Sequence, residues 1–445
     1  MTQGQGRMIV DKQKVKMFLG DDAMRLIETI ATSAQARDLS LYLVGGIVRD
    51  LLLNRPNYDI DFVLEGDAIE FSTALQAQFG GDVRPYPPFK TATWYLDNES
   101  ARVLGISQAD VPDYLDFVSA RTEIYEHPAA LPTVFMSDIQ HDLFRRDFTI
   151  NTLAIQLSPL SAQWQLLDRY SGVTDLNDGV IRVLHDLSFI DDPTRIFRAI
   201  RFSERLKFTI EPNTDQLMQT ALSTIEGVTG ERLQNEINLI LQEESSVQAL
   251  RTLNDRGVLV MLHPDFKLTE ATLSVFNQRV DQVYPQWDAE SLSLSWHILL
   301  GMLPPETVLA ITDRLLIGQN RKLALLKTAT LMQSSDVLAD PESKPSEIVA
   351  YLADAPVEAL TALWLYHADA IVRERIETYY EKWQHIKPSV DGHALKKMGL
   401  KPSPLFREIL TRLKIAWLDG LIYNEAQEQA LLNKIIQEVS HERPD

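Results

Sequence analysis

Two aspartates one residue apart, Asp59 and Asp61 in the run DIDFVL (59–64), are the first candidates for chemistry in this chain. In a strand, residues i and i+2 point to one face, so both carboxylates converge while Ile60 and Phe62 turn toward a core. Two like charges held together repel unless a cation neutralises them, and hard ions such as Mg²⁺ prefer carboxylate oxygens. A third carboxylate, Asp116, lies in the strand-like run YLDFVS (114–119). Such a cluster can hold two ions in line with a phosphoryl transfer. An isolated Asp-x-Asp is more often the wet face of an amphipathic strand, so its surroundings decide.

A short way upstream the chain reads Leu43-Val44-Gly45-Gly46-Ile47-Val48-Arg49-Asp50. This predicts a strand running through two glycines into a helix. Glycines leave the backbone N–H groups at a helix start open to a triphosphate. Arg49 lies near that start, within reach of a phosphate. Gly-rich turns are common, and a surface Arg after one is ordinary; an acidic pair following the turn is much more specific.

The elements that must carry these residues follow from pattern. From Leu41 to Leu157, β-rich runs such as LYLV (41–44), TATWYL (91–96) and YLDFVS alternate with helical ones, of which DAIEFSTALQAQF (67–79) is the clearest. From about Asp191 onward a helical period dominates, in stretches such as 315–332 and 357–376. PESKPSE (341–347) and HIKPSVDG (385–392) read as turns or linkers. The expected fold is α/β: a small mixed-sheet head followed by an all-α neck, body and tail. The expected domains are 1–185, 186–245, 246–385 and 386–445.

Two further runs can do chemistry. RRDFTIN offers Arg145, Arg146, Asp147 and Asn151, either as a solvated charge cluster or as a triphosphate site close to the acidic strand. DDPTRIFRAIRF places Asp191 or Asp192 as a helix cap, with Pro193 suited to the first turn. Asp192 and Arg195 then share a helix face, and Arg198 and Arg201 continue the same drift toward phosphates. A carboxylate accepts from an exocyclic amino group and Arg donates to ring nitrogens and carbonyls. C and A both satisfy that pattern; U and G present other edges. The ordinary alternative is a capped surface helix with a weak Asp–Arg ion pair. His127, His141 and His185 show no metal-ligand spacing.

The chain has 445 residues, no Cys, 45% hydrophobic and 24% charged content, and a formal charge of −19. Absence of Cys excludes disulfides and thiolate metal sites and fits a reducing cytoplasm. No apolar run is long enough for a membrane helix, and the polar N-terminus lacks a secretory core. The net charge argues against a nucleic-acid partner, because phosphate binding calls for basic surface; net charge does not speak to local patches, so a basic groove on an acidic body stays open and the motifs decide.

With these blocks in hand, the sequence resembles the nucleotidyltransferases of the class II CCA-adding enzyme and bacterial poly(A) polymerase family. GGIVRD followed by DIDFV resembles the family signature. LDFVSARTEIYEHPAALP (115–132), DLFRRDFTINTLAI (142–155), LLDRYSGVTDLNDGVIRVL (166–184), DDPTRIFRAIRFSERLKFTIEP (191–212) and GERLQNEINLIL (230–241) resemble its later blocks in the family's order. VDGHALKKMGLKPSPLFREIL (390–410) resembles its tail block. Departures are Asp191 for a usual Glu, Gly230 for Ser, Ala394 for Asp and Ser403 for Gly.

The resemblance implies that Asp59 and Asp61, with Asp116, hold Mg²⁺ and that Gly45, Gly46 and Arg49 cradle the triphosphate. It implies that Arg145 or Arg146, with Asp147 and Asn151, positions sugar and phosphates, and that Asp192 and Arg195 select the base. The implied activity is template-independent rebuilding of the CCA end of tRNA from CTP and ATP by two-metal phosphoryl transfer. Lys396, Lys397 and Lys401 are expected to touch tRNA backbone, with solubilising lysines as the alternative. In this family the loop within 123–143 governs the switch from C to A. Its presence weakens a CC-only activity and leaves full CCA addition and A-only addition both open, beside poly(A) addition. A nucleotidyltransferase for a small molecule and a non-enzymatic RNA-binding protein are the other readings; the long helical arm argues against the first and intact Asp59 and Asp61 against the second.

Overall fold

The computed structural model describes residues 8–57, 59–124, 127, 129, 132–280 and 287–442. Five residues of the expected C-to-A loop, Tyr125, Glu126, Pro128, Ala130 and Leu131, lie outside the described residues.

By internal contacts the chain forms two compact units, Met1–Met261 and Leu262–Asp445. The first is built on a mixed sheet. Its strands are β1 (Met8–Ile9), β2 (Ser40–Val44), β3 (Asp61–Glu65), β4 (Asp82–Tyr86), β5 (Thr91–Tyr95), β6 (Tyr114–Ser119), β9 (Ala154–Ser158) and β10 (Gln165–Leu167); β7 (Arg121–Ile124) and β8 (Thr133–Met136) form a separate hairpin. The strand order is β1-β10-β9-β2-β3-β6-β5-β4. Only β3 and β6 run parallel in it. A parallel pair requires a crossover, and here the helix Ala68–Phe79, the β4–β5 hairpin and the helix Asn98–Leu104 supply it.

The crossover helix begins where Asp67 accepts from the N–H groups of Ile69 and Glu70, satisfying two donors that a helix start leaves open. It ends at Gly80, whose φ of +87° favours glycine. Between them Phe71 and Leu75 are buried, and Phe71 meets the Phe117 ring edge-on at 5.7 Å. Phe62 and Phe117 stack at 5.0 Å, so the parallel pair has a dry aromatic face beneath it.

The helices Thr194–Leu206, Gly230–Leu241 and Ser246–Asp255 pack on one another in the same unit. The strands expected at 41–44, 91–96 and 114–119 and the helix expected at 67–79 form within a residue or so of those limits. The strand expected from Asp59 instead starts at Asp61.

The described residues of the second unit form helices and their connections. The helices Ser291–Gly301, Gln319–Gln333 and Val357–Tyr366 surround Trp296 and His297, and the His297 Nδ1 sits 2.6 Å from Thr328 Oγ1. The expected single helix 357–376 is two, because Asp369 caps a new helix, Ala370–Glu381, by accepting from Ile371 N–H at 2.8 Å. Leu395, Ile409, Leu413, Leu432 and Ile435 make a separate small core at the C-terminal end. No single helix among the described residues is long and apolar enough to cross a membrane.

Candidate active site in the first unit

The acidic cluster is assembled by the sheet. Asp61 opens β3, and the parallel register sets it opposite Asp116 of β6. Thr93 of β5 faces Asp116 from the other side, and its hydroxyl donates to Asp116 Oδ1 at 2.5 Å. Asp59 arrives by a different route: it precedes the strand, in a turn where its N–H donates to Asn57 Oδ1 at 2.8 Å. One ligand oxygen from each of Asp59, Asp61 and Asp116 lies within 4.8 Å of the others. Among the described residues no other trio of His, Cys, Asp or Glu comes this close.

The electrostatics follow from crowding. Burial first, then Asp59 and Asp116, push the Asp61 carboxyl up to about 7, against the pull of Arg146. Asp59 is raised as well, by burial and then by Asp116. An all-oxygen donor set of three carboxylates suits Mg²⁺ and offers nothing to a thiophilic metal.

The glycine turn closes over this cluster. Gly45 has a φ of +74°, and a Cβ there would stand 2.9 Å from Arg146 Nη1. The backbone angle therefore favours glycine, and a larger side chain would have to displace the Arg146 guanidinium. The helix Gly46–Leu53 follows. Arg49, only 3% exposed, has each guanidinium nitrogen engaged: Nε and Nη2 bond Asp50 at 2.8 Å and Nη1 bonds Asn151 Oδ1 at 2.8 Å. Asn57 Nδ2 donates to the same Asp50 at 2.7 Å, tying the glycine helix to the turn that holds Asp59.

Arg145 and Arg146 separate in role. Asp142, fully buried, takes Arg145 Nε and Nη2 at 3.0 and 2.7 Å and Arg146 Nη2 at 3.1 Å. Arg145 Nη1 continues to Glu123 at 3.0 Å. Arg146 Nε is buried without a protein partner. Asp147 accepts from Arg198 Nε at 2.8 Å, from Asn151 Nδ2 at 2.9 Å and from Phe148 N–H at 2.8 Å. Its burial works to raise the carboxyl, but the Arg198 charge and the Asn151 and Arg198 hydrogen bonds prevail and hold it at about 2. Arg198 is raised in return, chiefly by Asp147.

The helix Thr194–Leu206 starts later than the sequence suggests: Pro193 is its N-cap rather than a first-turn residue, and neither Asp191 nor Asp192 holds the cap position. Asp192 Oδ1 accepts from Thr194 N–H at 3.1 Å and Thr194 Oγ1 at 2.6 Å, and Pro193 precedes the first turn. Asp192 and Arg195 do not pair with each other. Arg195 Nη2 donates to the Arg145 carbonyl at 2.7 Å, and its Nη1 is buried without a protein partner, as is Arg201 Nε.

Gly45, Gly46, Arg49, Asp59, Asp61, Arg145, Arg146, Asp147, Asn151, Asp192, Arg195, Arg198 and Arg201 all line one cavity of about 770 Å³. Asp116 is not among its lining residues and reaches it through Asp61. The lining carries eight arginines against five carboxylates, a local basic surface on a chain of charge −19. Lys396, Lys397 and Lys401 are exposed in the second unit, at and just after the helix Gly392–Lys397.

Sequence reasoning passed over Asn57, Asp142 and Arg232. Arg232 and the buried Glu236 belong to the GERLQNEINLIL block, where opposite charges four residues apart on one helix face were a readable signal. Nothing in the sequence marked Asn57.

Residues 41–182 match the poly A polymerase head domain, and residues 207–269 match the family described as the probable RNA and SrmB-binding site of polymerase A. An A-adding tRNA nucleotidyltransferase of Halalkalibacterium halodurans is 33% identical over 418 residues, covering 92% of this chain and 91% of its own length. One of Geobacter sulfurreducens is 34% identical over 399 residues; the match takes in 86% of this chain but only 44% of the relative. The structure of the Thermotoga maritima CCA-adding enzyme complexed with tRNA superposes with a TM-score of 0.73 at 27% identity, covering 97% of this chain and all (100%) of that one. With the head-domain match at 41–182 and a relative 33% identical over 92% of this chain and 91% of its own length, the chain belongs to the tRNA nucleotidyltransferase family.

Proposed function

We propose that the protein transfers a nucleotidyl group from ATP or CTP to the 3′ end of tRNA, with release of pyrophosphate. One observation carries this reading: Asp59, Asp61 and Asp116 gather at the edge of a cavity whose arginines keep unpartnered donors. The three carboxylates would hold Mg²⁺, which when bound supplies Lewis acidity to the phosphoryl oxygens. Arg146, with a free Nε, close to Gly45 and near Asp61, takes the triphosphate rather than Arg145, which is spent on Asp142 and Glu123. Arg49 acts as a buttress, since its nitrogens already hold Asp50 and Asn151. Asp147 keeps Arg198 and Asn151 in place for the sugar. Asp192 accepts the amino group that C and A share, and Arg195 Nη1 donates to the ring nitrogen beside it. The tRNA 3′ oxygen then attacks the α-phosphorus; the new P–O bond forms as the bond to pyrophosphate breaks.

The family resemblance leaves full CCA addition and addition of the terminal A alone both open. Addition of the terminal A alone is supported by one specific observation: A-adding relatives are 34% and 33% identical over 86% and 92% of this chain, whereas a CC-adding relative reaches 33% over only 66% and a CCA-adding one 27% over 86%. The deciding experiment offers purified protein three tRNA transcripts, ending before CCA, after C and after CC, each with CTP, ATP or both. Extension only of the CC-ending transcript, with ATP, means A addition; completion of all three with both nucleotides means CCA addition. No extension of any of them overturns the proposal.

A further inference from the structure

We propose that Arg232 is a positioning residue for nucleotide selection and acts through Asp192; this rests on the reading of Asp192 as the acceptor for the base. Arg232 stands in the first turn of the helix Gly230–Leu241 and lines the cavity. Its Nη2 donates to Asp192 Oδ1 at 2.6 Å, and its Nη1 donates to the Ala129 carbonyl at 3.2 Å. Asp192 Oδ1 already takes the Thr194 N–H and hydroxyl. Three donors therefore converge on one carboxylate oxygen, which fills its acceptor capacity. Among the described residues Oδ2 takes none. Thr194 and Arg232 together fix which oxygen faces the ligand and where it stands.

That fixed placement matters for selection. U and G set a carbonyl oxygen where C and A set an amino group, so a held carboxylate repels them. A carboxylate able to swing away loses part of that repulsion along with part of its hold on the amino group. Thr194 alone does not prevent the swing, because both its bonds come from one side of the helix start. The bond to Ala129 adds a second role for the same guanidinium. Ala129 N–H donates to the Ile190 carbonyl at 3.4 Å, so Arg232 touches the 123–143 segment at a point anchored just ahead of the reading helix.

The test measures kcat/KM for ATP, CTP, UTP and GTP with the full chain and CC-ending tRNA, for wild type, Asp192→Ala, Arg232→Ala and Arg232→Lys. Arg232→Ala is expected to raise the ratio of wrong to correct nucleotide about tenfold, within the range of one base-reading contact. The rise should come mainly through a higher KM for the correct nucleotide, with tRNA affinity unchanged. Arg232→Lys reaches only one of the two partners and should recover part of the loss, leaving a rise of about threefold. If Arg232→Ala does not fold, the Lys variant decides. Unchanged ratios in the folded Arg232 variants, beside a raised ratio in Asp192→Ala, would make Arg232 a purely structural ion pair. Unchanged ratios in Asp192→Ala itself would remove the base-reading role on which the proposal stands.

Discussion

Asp61 and Asp116 stand opposite each other on the one parallel strand pair of the main sheet, and the residues that follow them, Phe62 and Phe117, stack on the opposite face. One register thus sets two carboxylates side by side toward the cavity and two rings side by side toward the core. The alternation of a strand makes these a single arrangement. Both rings are fully buried, so the position of the acidic pair is backed by packing rather than by a flexible loop.

Phe117→Ala should therefore damage both stability and the metal site. Loss of a buried aromatic side chain costs about 3–5 kcal/mol. Urea unfolding should show that loss, and the folded variant should need more Mg²⁺ for half-maximal incorporation. A normal Mg²⁺ requirement in a destabilised variant would separate the packing from the site.

Arg195→Ala should cost discrimination among nucleotides more than affinity for tRNA. Its Nη1 is the buried donor left open in the cavity, while Nη2 is held by the Arg145 carbonyl. A base-reading contact contributes about 1–3 kcal/mol. Incorporation ratios for the four nucleotides should shift by that amount; constant ratios with weakened tRNA binding would move Arg195 from the base to the RNA.

Asp147 and Arg198 give a pH signature. The Asp147 carboxyl is held at about 2 against an ordinary 3.8. A depressed carboxyl stabilises the fold above its unfolded pKa and loses that contribution as pH falls through about 4 toward 2. The linkage is on the order of 2 kcal/mol. Asp147→Asn should lower the melting temperature most at pH 7 and by roughly half as much at pH 3, where the folded carboxyl is still largely ionised. An equal deficit at both values would show that the ion pair does not carry the stability.

The strands β2, β5 and β6 were legible because β-branched and aromatic content marked them, and the crossover helix because its apolar period begins just after Gly66; the short strands β1, β4, β9 and β10 carried no such signal. Asp59 was misplaced because a strand pattern and a tight turn can both bring i and i+2 together; the turn depends on Asn57, whose side chain carries no periodic signal. The helix at 357–376 read as continuous because its apolar spacing runs through the break. His367 to Asp369 interrupt it, as a capping carboxylate outcompetes continuation. Arg49 read as a phosphate ligand from its place after two glycines. Its commitment to Asp50 and Asn151 involves a residue 102 positions away, which no local pattern encodes. The pairing of Asp192 with Arg232, 40 positions apart, was out of reach for the same reason.

Lys396 and Lys397 are exposed in the second unit. If they contact tRNA phosphates, reversing both to Glu should weaken tRNA binding and flatten its dependence on salt, since fewer counterions are released. ATP and CTP binding, which the proposed function assigns to the cavity of the first unit, should stay as they are. Wild-type affinity and slope in the double variant would leave these lysines a solubilising role.

Incorporation of a single labelled nucleotide into CC-ending tRNA by Asp61→Ala tests the central claim most directly. The account predicts a loss on the order of 10³-fold or more relative to wild type, with an unchanged circular dichroism spectrum and retained tRNA binding. Incorporation within about tenfold of wild type by a folded Asp61→Ala protein would contradict it, and the chemistry would then have to lie outside the Asp59, Asp61 and Asp116 cluster.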